Sequence, residues 1–178
     1  MEKNRQGLLH IYCGDGKGKT SAAVGMAVRA AGCGMKVLVI RFLKTENSGE
    51  VEVLRSIPGI TVTPCDRTFG FVFRMTEEQK QEAALYYQSR FEAAAKEAVQ
   101  GQYDLLILDE ILASCNYGMV RETSVVEFLK NRPEKLEVVL TGRNPDRTLV
   151  DLADYVTQMQ KIKHPYDQGV GARRGIEY

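Results

Sequence analysis

Gly14-Asp15-Gly16-Lys17-Gly18-Lys19-Thr20 decides the fold. It follows an apolar run at 8–13 and leads into 19–31, where Ala23, Met26, Ala27 and Ala30 recur at helical spacing. Strand, glycine-rich turn and helix form a cradle for phosphate. Glycine permits positive φ and close backbone approach, so successive amides can turn toward an anion. The helix that follows aims its positive end at the same point. Lys19 adds a mobile charge, and the Thr20 hydroxyl is placed to ligate magnesium. In the common motif the first glycine falls where Cys13 stands, so Gly14 is expected to serve in a loop one residue tighter. The plain alternative is an ordinary glycine-rich turn. The whole arrangement favours phosphate, with Gly14, Asp15, Gly16, Lys17, Gly18, Lys19 and Thr20 as the binding residues.

Working outward, short apolar runs alternate with longer helical patterns. Strands are expected at 8–13, 36–42, 60–63, 103–108, 137–141 and 155–161, and helices at 19–31, 76–100 and 146–153. Val37-Leu38-Val39-Ile40 and Leu105-Leu106-Ile107-Leu108 are apolar on both faces, as in strands covered on both sides. Thr76-Glu77-Glu78-Gln79 reads as a capping box. The expectation is an α/β fold of the P-loop NTPase-like (RecA-like) kind, with a mainly parallel sheet and helices on both faces. No repeat or linker interrupts the pattern, so residues 1–178 are expected to form a single domain.

The strand at 103–108 runs into Asp109-Glu110, at the sheet edge where open α/β folds bind ligands. Carboxylates there can hold magnesium. The alternative is a helix cap at Asp109 beside a solvated Glu110. Next to a phosphate loop the metal reading is preferred, giving Thr20, Asp109 and Glu110 as candidate ligands. Arg29, on the helix after the loop, is a candidate nucleotide contact or a surface ion pair. Phe69, Phe71 and Phe73 alternate like one face of a core strand.

Composition excludes other classes. The net charge is +1, so no global field draws nucleic acid or an anionic membrane. No run approaches the apolar length of a membrane span, and the opening residues do not resemble a signal peptide. Cys13, Cys33, Cys65 and Cys115 are scattered, unlike a zinc site or a disulfide scaffold. A reduced, cytoplasmic setting is expected.

Gly14–Thr20 also resembles the Gly-Asn-Gly-Lys-Gly-Lys-Thr loop of ATP:corrinoid adenosyltransferases of the CobA/BtuR type. Further similar segments are Leu108-Asp109-Glu110, Thr141-Gly142-Arg143, Leu152-Ala153-Asp154, Gly70-Phe71-Val72-Phe73, and a tail of 163–170 with Gly175-Ile176-Glu177-Tyr178. They are colinear from residue 8 to residue 178. The resemblance implies a reaction in which a cobalt(I) corrinoid, cobalamin or a cobinamide-type precursor, attacks the 5′-carbon of ATP and releases triphosphate. It implies Mg2+ with ATP, an electron-donating reductase and a homodimer. Lys19 would act on the triphosphate, and Thr20 and Glu110 match magnesium-associated positions. Phe71 and Phe73 match aromatics that pack beneath the corrin and displace cobalt's lower ligand, easing its reduction. Phe73 stands where the family has tryptophan, and Asp15 where it has asparagine. The rival activities are γ-phosphoryl transfer by a small P-loop kinase or ATPase and a nucleotide-controlled regulatory module.

Overall fold

The computed structural model describes residues 6–70 and 72–178. Its strands are β1 (Leu9–Cys13), β2 (Val37–Arg41), β3 (Ile60–Val62), β4 (Leu105–Asp109), β5 (Glu137–Thr141) and β6 (Tyr155–Gln158). They form one sheet in the order β3-β2-β4-β5-β1-β6, and every pairing is parallel. Parallel neighbours need crossovers, and these are α1 (Lys19–Gly32), α2 (Glu50–Ser56), α3 (Glu77–Gln100), α4 (Ile111–Asn116), α5 (Glu122–Asn131) and α6 (Arg147–Leu152). β6 ends at Gln158 rather than at 161. Met159 still donates to the Cys13 carbonyl at 2.8 Å, but its own carbonyl turns to the phosphate loop.

The doubly apolar strands are explained by two cores, one on each face. On one face Val37, Val39, Leu105, Ile107 and Val139 meet Ala23, Ala27 and Ala30 of α1 and Val51 and Leu54 of α2. Small side chains let α1 lie close to the sheet. On the other face Leu38, Ile40, Leu106, Leu108, Val138 and Leu140 meet Ala83, Tyr87, Phe91, Ala94 and Ala98 of α3. Fully burying such an aliphatic side chain stabilises by roughly 1.5–3 kcal/mol. The α3 capping box forms as expected: Thr76 Oγ1 accepts from the Gln79 amide, and the Gln79 side chain accepts from the Thr76 amide.

Three helices escape the sequence reading. α2 and α4 span seven and six residues, too short for periodicity to show. α5 does carry a signal, since its buried Val125 and Leu129 stand four apart. One expectation is corrected. The alternating phenylalanines are not a strand: 63–70 is loop and Val72–Arg74 is a 3-10 turn. Phe69 packs on Tyr86 and Tyr87, with centroids 5.5 and 5.8 Å away, whereas Phe73 is 79% exposed. Phe71 lies outside the described residues.

Candidate active site

The phosphate loop joins β1 to α1 and is braced from the β6 side. The Gly16 amide donates to the Met159 carbonyl at 2.7 Å. A Cβ at Gly14 or Gly16 would lie 2.4 or 2.6 Å from that carbonyl oxygen, a clash with backbone that cannot swing away. Gly14 and Gly18 also have φ of 104° and 115°, where a side chain is strained. Gly18 caps α1 without any side-chain hydrogen bond, and the first turn carries no acidic residue. The orphan amides of that turn are thus left for an anion.

Lys19 is 9% exposed, and its Nζ donates to the Gly16 carbonyl at 2.7 Å across the mouth of the loop. Burial lowers its pKa below the ordinary lysine value, opposed by the Glu110 charge. Asp15 does not crowd the cradle. It is exposed and accepts the Lys161 amide at 3.0 Å, a bond that chiefly holds its carboxyl below the usual value. Exposed Lys17 reaches Glu177 of the tail, Nζ to Oε1 3.4 Å.

Beside the loop lies a niche of oxygens at the C-terminal ends of β4 and β5. Asp109 is 2% exposed; its Oδ1 accepts from Thr20 Oγ1 at 3.0 Å and from Thr141 Oγ1 at 2.6 Å. Lys44, from the loop after β2, donates to Thr20 Oγ1 at 2.8 Å and contacts Asp109 Oδ2. A hydroxyl and a carboxylate that already share one cation are hard donors suited to a divalent one. Glu110 is the residue that caps α4, with φ of 63° and its amide donating to Thr141 Oγ1 at 2.9 Å.

The structure therefore joins Thr20 to Asp109 directly, with Glu110 alongside, and gives the capping position to Glu110 rather than Asp109. Arg29 is not brought to the loop. It stands in the last turn of α1, ten residues beyond Lys19 and so about 15 Å along the axis at ~1.5 Å per residue. There it borders a separate hollow with His10, Tyr12, Cys33 and Glu137. Sequence reasoning missed Lys44, whose signal was a lysine just past a strand's C-terminal end, where ligands gather. It also gave no role to Thr141 or Arg143. The Arg143 charge is felt at Asp15, Lys19 and Glu110. Gly142, at φ 143°, lets β5 approach α4 so closely that a Cβ would sit 2.7 Å from Leu112.

Burial, then the Asp109 charge, pushes the Glu110 carboxyl above the ordinary 4.5, against the pull of Lys44, Lys19 and Arg143. The native state then holds this proton more tightly than the unfolded chain. Stability falls as pH climbs from 4.5 through the raised folded value. Glu110→Gln removes that titration. In nucleotide- and metal-free protein the variant should melt above wild type at pH 8, by about 2–4 °C per kcal/mol relieved. The advantage should shrink on acidification and vanish below pH 4.5. Thermal melts across that range check it, and a variant less stable at pH 8 contradicts it.

Residues 5–178 match the family described as ATP:corrinoid adenosyltransferase BtuR/CobO/CobP. The chain is 32% identical over 177 residues to a corrinoid adenosyltransferase of Pseudomonas aeruginosa, covering 99% of this chain and 86% of that protein. It is 33% identical over 177 residues to a corrinoid adenosyltransferase of Escherichia coli K12, covering 99% and 88%. Identity to the corrinoid adenosyltransferase CobA of Salmonella typhimurium is 32%, again over 99% and 88%. Among solved structures, the cytoplasmic domain of EssC superposes with a TM-score of 0.54 at 14% identity, covering 94% of this chain and 34% of that one. That likeness concerns the fold.

Proposed function

The chain belongs to the ATP:corrinoid adenosyltransferase family and adenosylates corrinoids with ATP; from that premise we propose that its phosphate loop holds the triphosphate of ATP as a leaving group. The cobalt(I) electron pair forms the cobalt–carbon bond at C5′. The C5′–O bond breaks, and its pair departs on the triphosphate oxygen. No protein nucleophile is needed, since cobalt supplies it. The protein's part is to bind, orient and accept charge. Uncapped amides of the loop and of the first turn of α1 face the triphosphate, and Lys19 turns from the Gly16 carbonyl to a phosphate oxygen. Donors already fixed in place stabilise developing negative charge without reorganising.

Thr20 and Asp109, with Glu110 nearby, would hold magnesium; the ion's chemistry is to neutralise triphosphate charge. The donor set around Asp109 supports this reading. The adenosine half fits a cleft of about 720 Å³ bordered by Thr20, Val24, Lys44 and the tail residues Ile176 and Tyr178. Among the described residues no helix is long and apolar enough to cross a membrane. A homodimer and an electron-donating reductase complete the reading on the family resemblance, and a reduced, cytoplasmic setting on the scattered cysteines.

One observation carries the activity over γ-phosphoryl transfer: the family match runs past the phosphate loop through the tail to residue 178. Incubation with ATP, magnesium and chemically reduced corrinoid should yield tripolyphosphate and a cobalt–carbon bond. Release of ADP instead would point to phosphoryl transfer.

The corrin side turns on Phe73. At 79% exposed it contributes little to the core, so Phe73→Ala should leave melting unchanged, where a core phenylalanine would cost about 3–5 kcal/mol. If Phe73 packs under the corrin, its loss readmits a lower cobalt ligand and makes cobalt(II) harder to reduce. Activity with a biological reductase should then fall at least about tenfold further than with pre-reduced corrinoid, a difference of about 1.4 kcal/mol. ATP affinity should hold. Parallel losses in both assays would sink the wedge.

A further inference from the structure

We infer that Lys44 is a tethered counter-cation, whose ammonium holds the niche between Thr20 and Asp109 in the nucleotide-free protein and moves to the triphosphate when metal and nucleotide enter. The inference rests on the metal reading of that niche and adds to it a residue and an order of binding.

The geometry makes the two occupants exclusive. Lys44 Nζ lies 2.8 Å from Thr20 Oγ1 and also contacts Asp109 Oδ2. A magnesium ion ligated by the same two oxygens, at ~2.1 Å from each, would share the ammonium's space. Two cations there would also repel strongly. Without either, Asp109 would keep, among the described residues, two hydroxyl donors for a charge that is 2% exposed, and an uncompensated buried carboxylate is costly.

Only the side chain needs to move, because the backbone around it is pinned. The Phe42 amide donates to the Asp109 carbonyl at 2.9 Å. Arg41, 2% exposed, donates to the Thr45 carbonyl at 2.9 Å and pairs with Glu46 at 2.8 Å, bracketing Lys44 from both sides. Glu46 in turn is held by Arg55 at 2.7 Å. A lysine's flexible four-carbon stem allows the swing that this frame denies the main chain. Thr20 and Lys44 both border the cleft beside the loop, so a triphosphate entering there offers Lys44 a new, charge-assisted partner. Metal alone offers none. The niche should therefore refuse a divalent cation until nucleotide arrives with it.

The test uses the full chain and Mn2+ as a spin-active probe. Lys44→Met and Lys44→Gln should bind Mn2+ without nucleotide at least tenfold more tightly than wild type, and adding Asp109→Asn to Lys44→Met should abolish the gain. If either single variant melts lower than wild type, Mn2+ should restore it by refilling the niche. Unchanged Mn2+ affinity in both single variants, or a melting loss that Mn2+ fails to restore, overturns the role of Lys44. The metal reading is checked separately: Mn2+ should raise ATP affinity in wild type but not in Asp109→Asn. If that coupling stands while the Lys44 variants behave as wild type, only the tethered cation falls; if it is absent from wild type, both readings fall.

Discussion

Lys19→Ala is expected to lower adenosylation of pre-reduced corrinoid about 10- to 150-fold, the equivalent of one charge-assisted contact of about 1.5–3 kcal/mol. ATP affinity should fall in step wherever that contact already forms in the bound state. The fold should survive, because in the free protein the ammonium serves a loop carbonyl, Gly16 O at 2.7 Å, and spans no two elements of the core. Calorimetric ATP binding, turnover and a thermal melt on one preparation suffice. Wild-type affinity and turnover in a folded variant would remove the loop from the phosphate site.

Asp109→Asn should be the most damaging single change in the niche. It leaves one oxygen to accept from Thr20 and Thr141, but replaces Oδ2, which meets Lys44, with an N–H2 donor that faces an ammonium, at a side chain only 2% exposed. It also strips Lys44 of its ion-pair partner. Breaking a buried pair costs about 3–5 kcal/mol. Lys44 is 21% exposed, and water relieves part of that penalty, leaving about 2–4 kcal/mol. The melting temperature should drop by about 5–15 °C, and metal-dependent turnover should be lost with it. Glu110→Gln should shift melting the other way at pH 8. Two adjacent carboxylates thus differ in sign. A variant that melts like wild type and keeps its metal dependence would empty the niche of both roles.

The fold was largely legible because its strands are buried on both faces and therefore read as continuous apolar runs. β2 and β4 could hardly be mistaken. The shape of the glycine-rich loop was legible for a different reason: Gly14, Gly16 and Gly18 meet backbone constraints that only glycine satisfies, so the turn is written in residue type. Lys44 was not legible, since a lone lysine in a loop looks like any solvated charge until β2 and β4 are known to be neighbours. Thr141 is similar, its hydroxyl mattering only because β5 lies beside β4. Arg29 shows how helix length enters such a reading. Sharing a helix with Lys19 suggests proximity, yet ten residues carry it to the other end. Phe73 was drawn toward a core strand by period-2 spacing, which a loop with a 3-10 turn can imitate over a few residues.

The brace between Gly16 and Met159 bears on how the protein is made. β1 is the first of the six strands to leave the ribosome, yet its partners are β5 and β6, the last two. Leu9 and Ile11 must wait, unpaired, until residues beyond 137 have been synthesised. Pairings so distant along the chain form slowly, because ends far apart must be brought together before any contact rewards them. The glycine-rich loop emerges early but gains this backbone brace only when Met159 arrives. Until then the growing polypeptide carries an open sheet edge and bare apolar faces, the state in which a chaperone matters most.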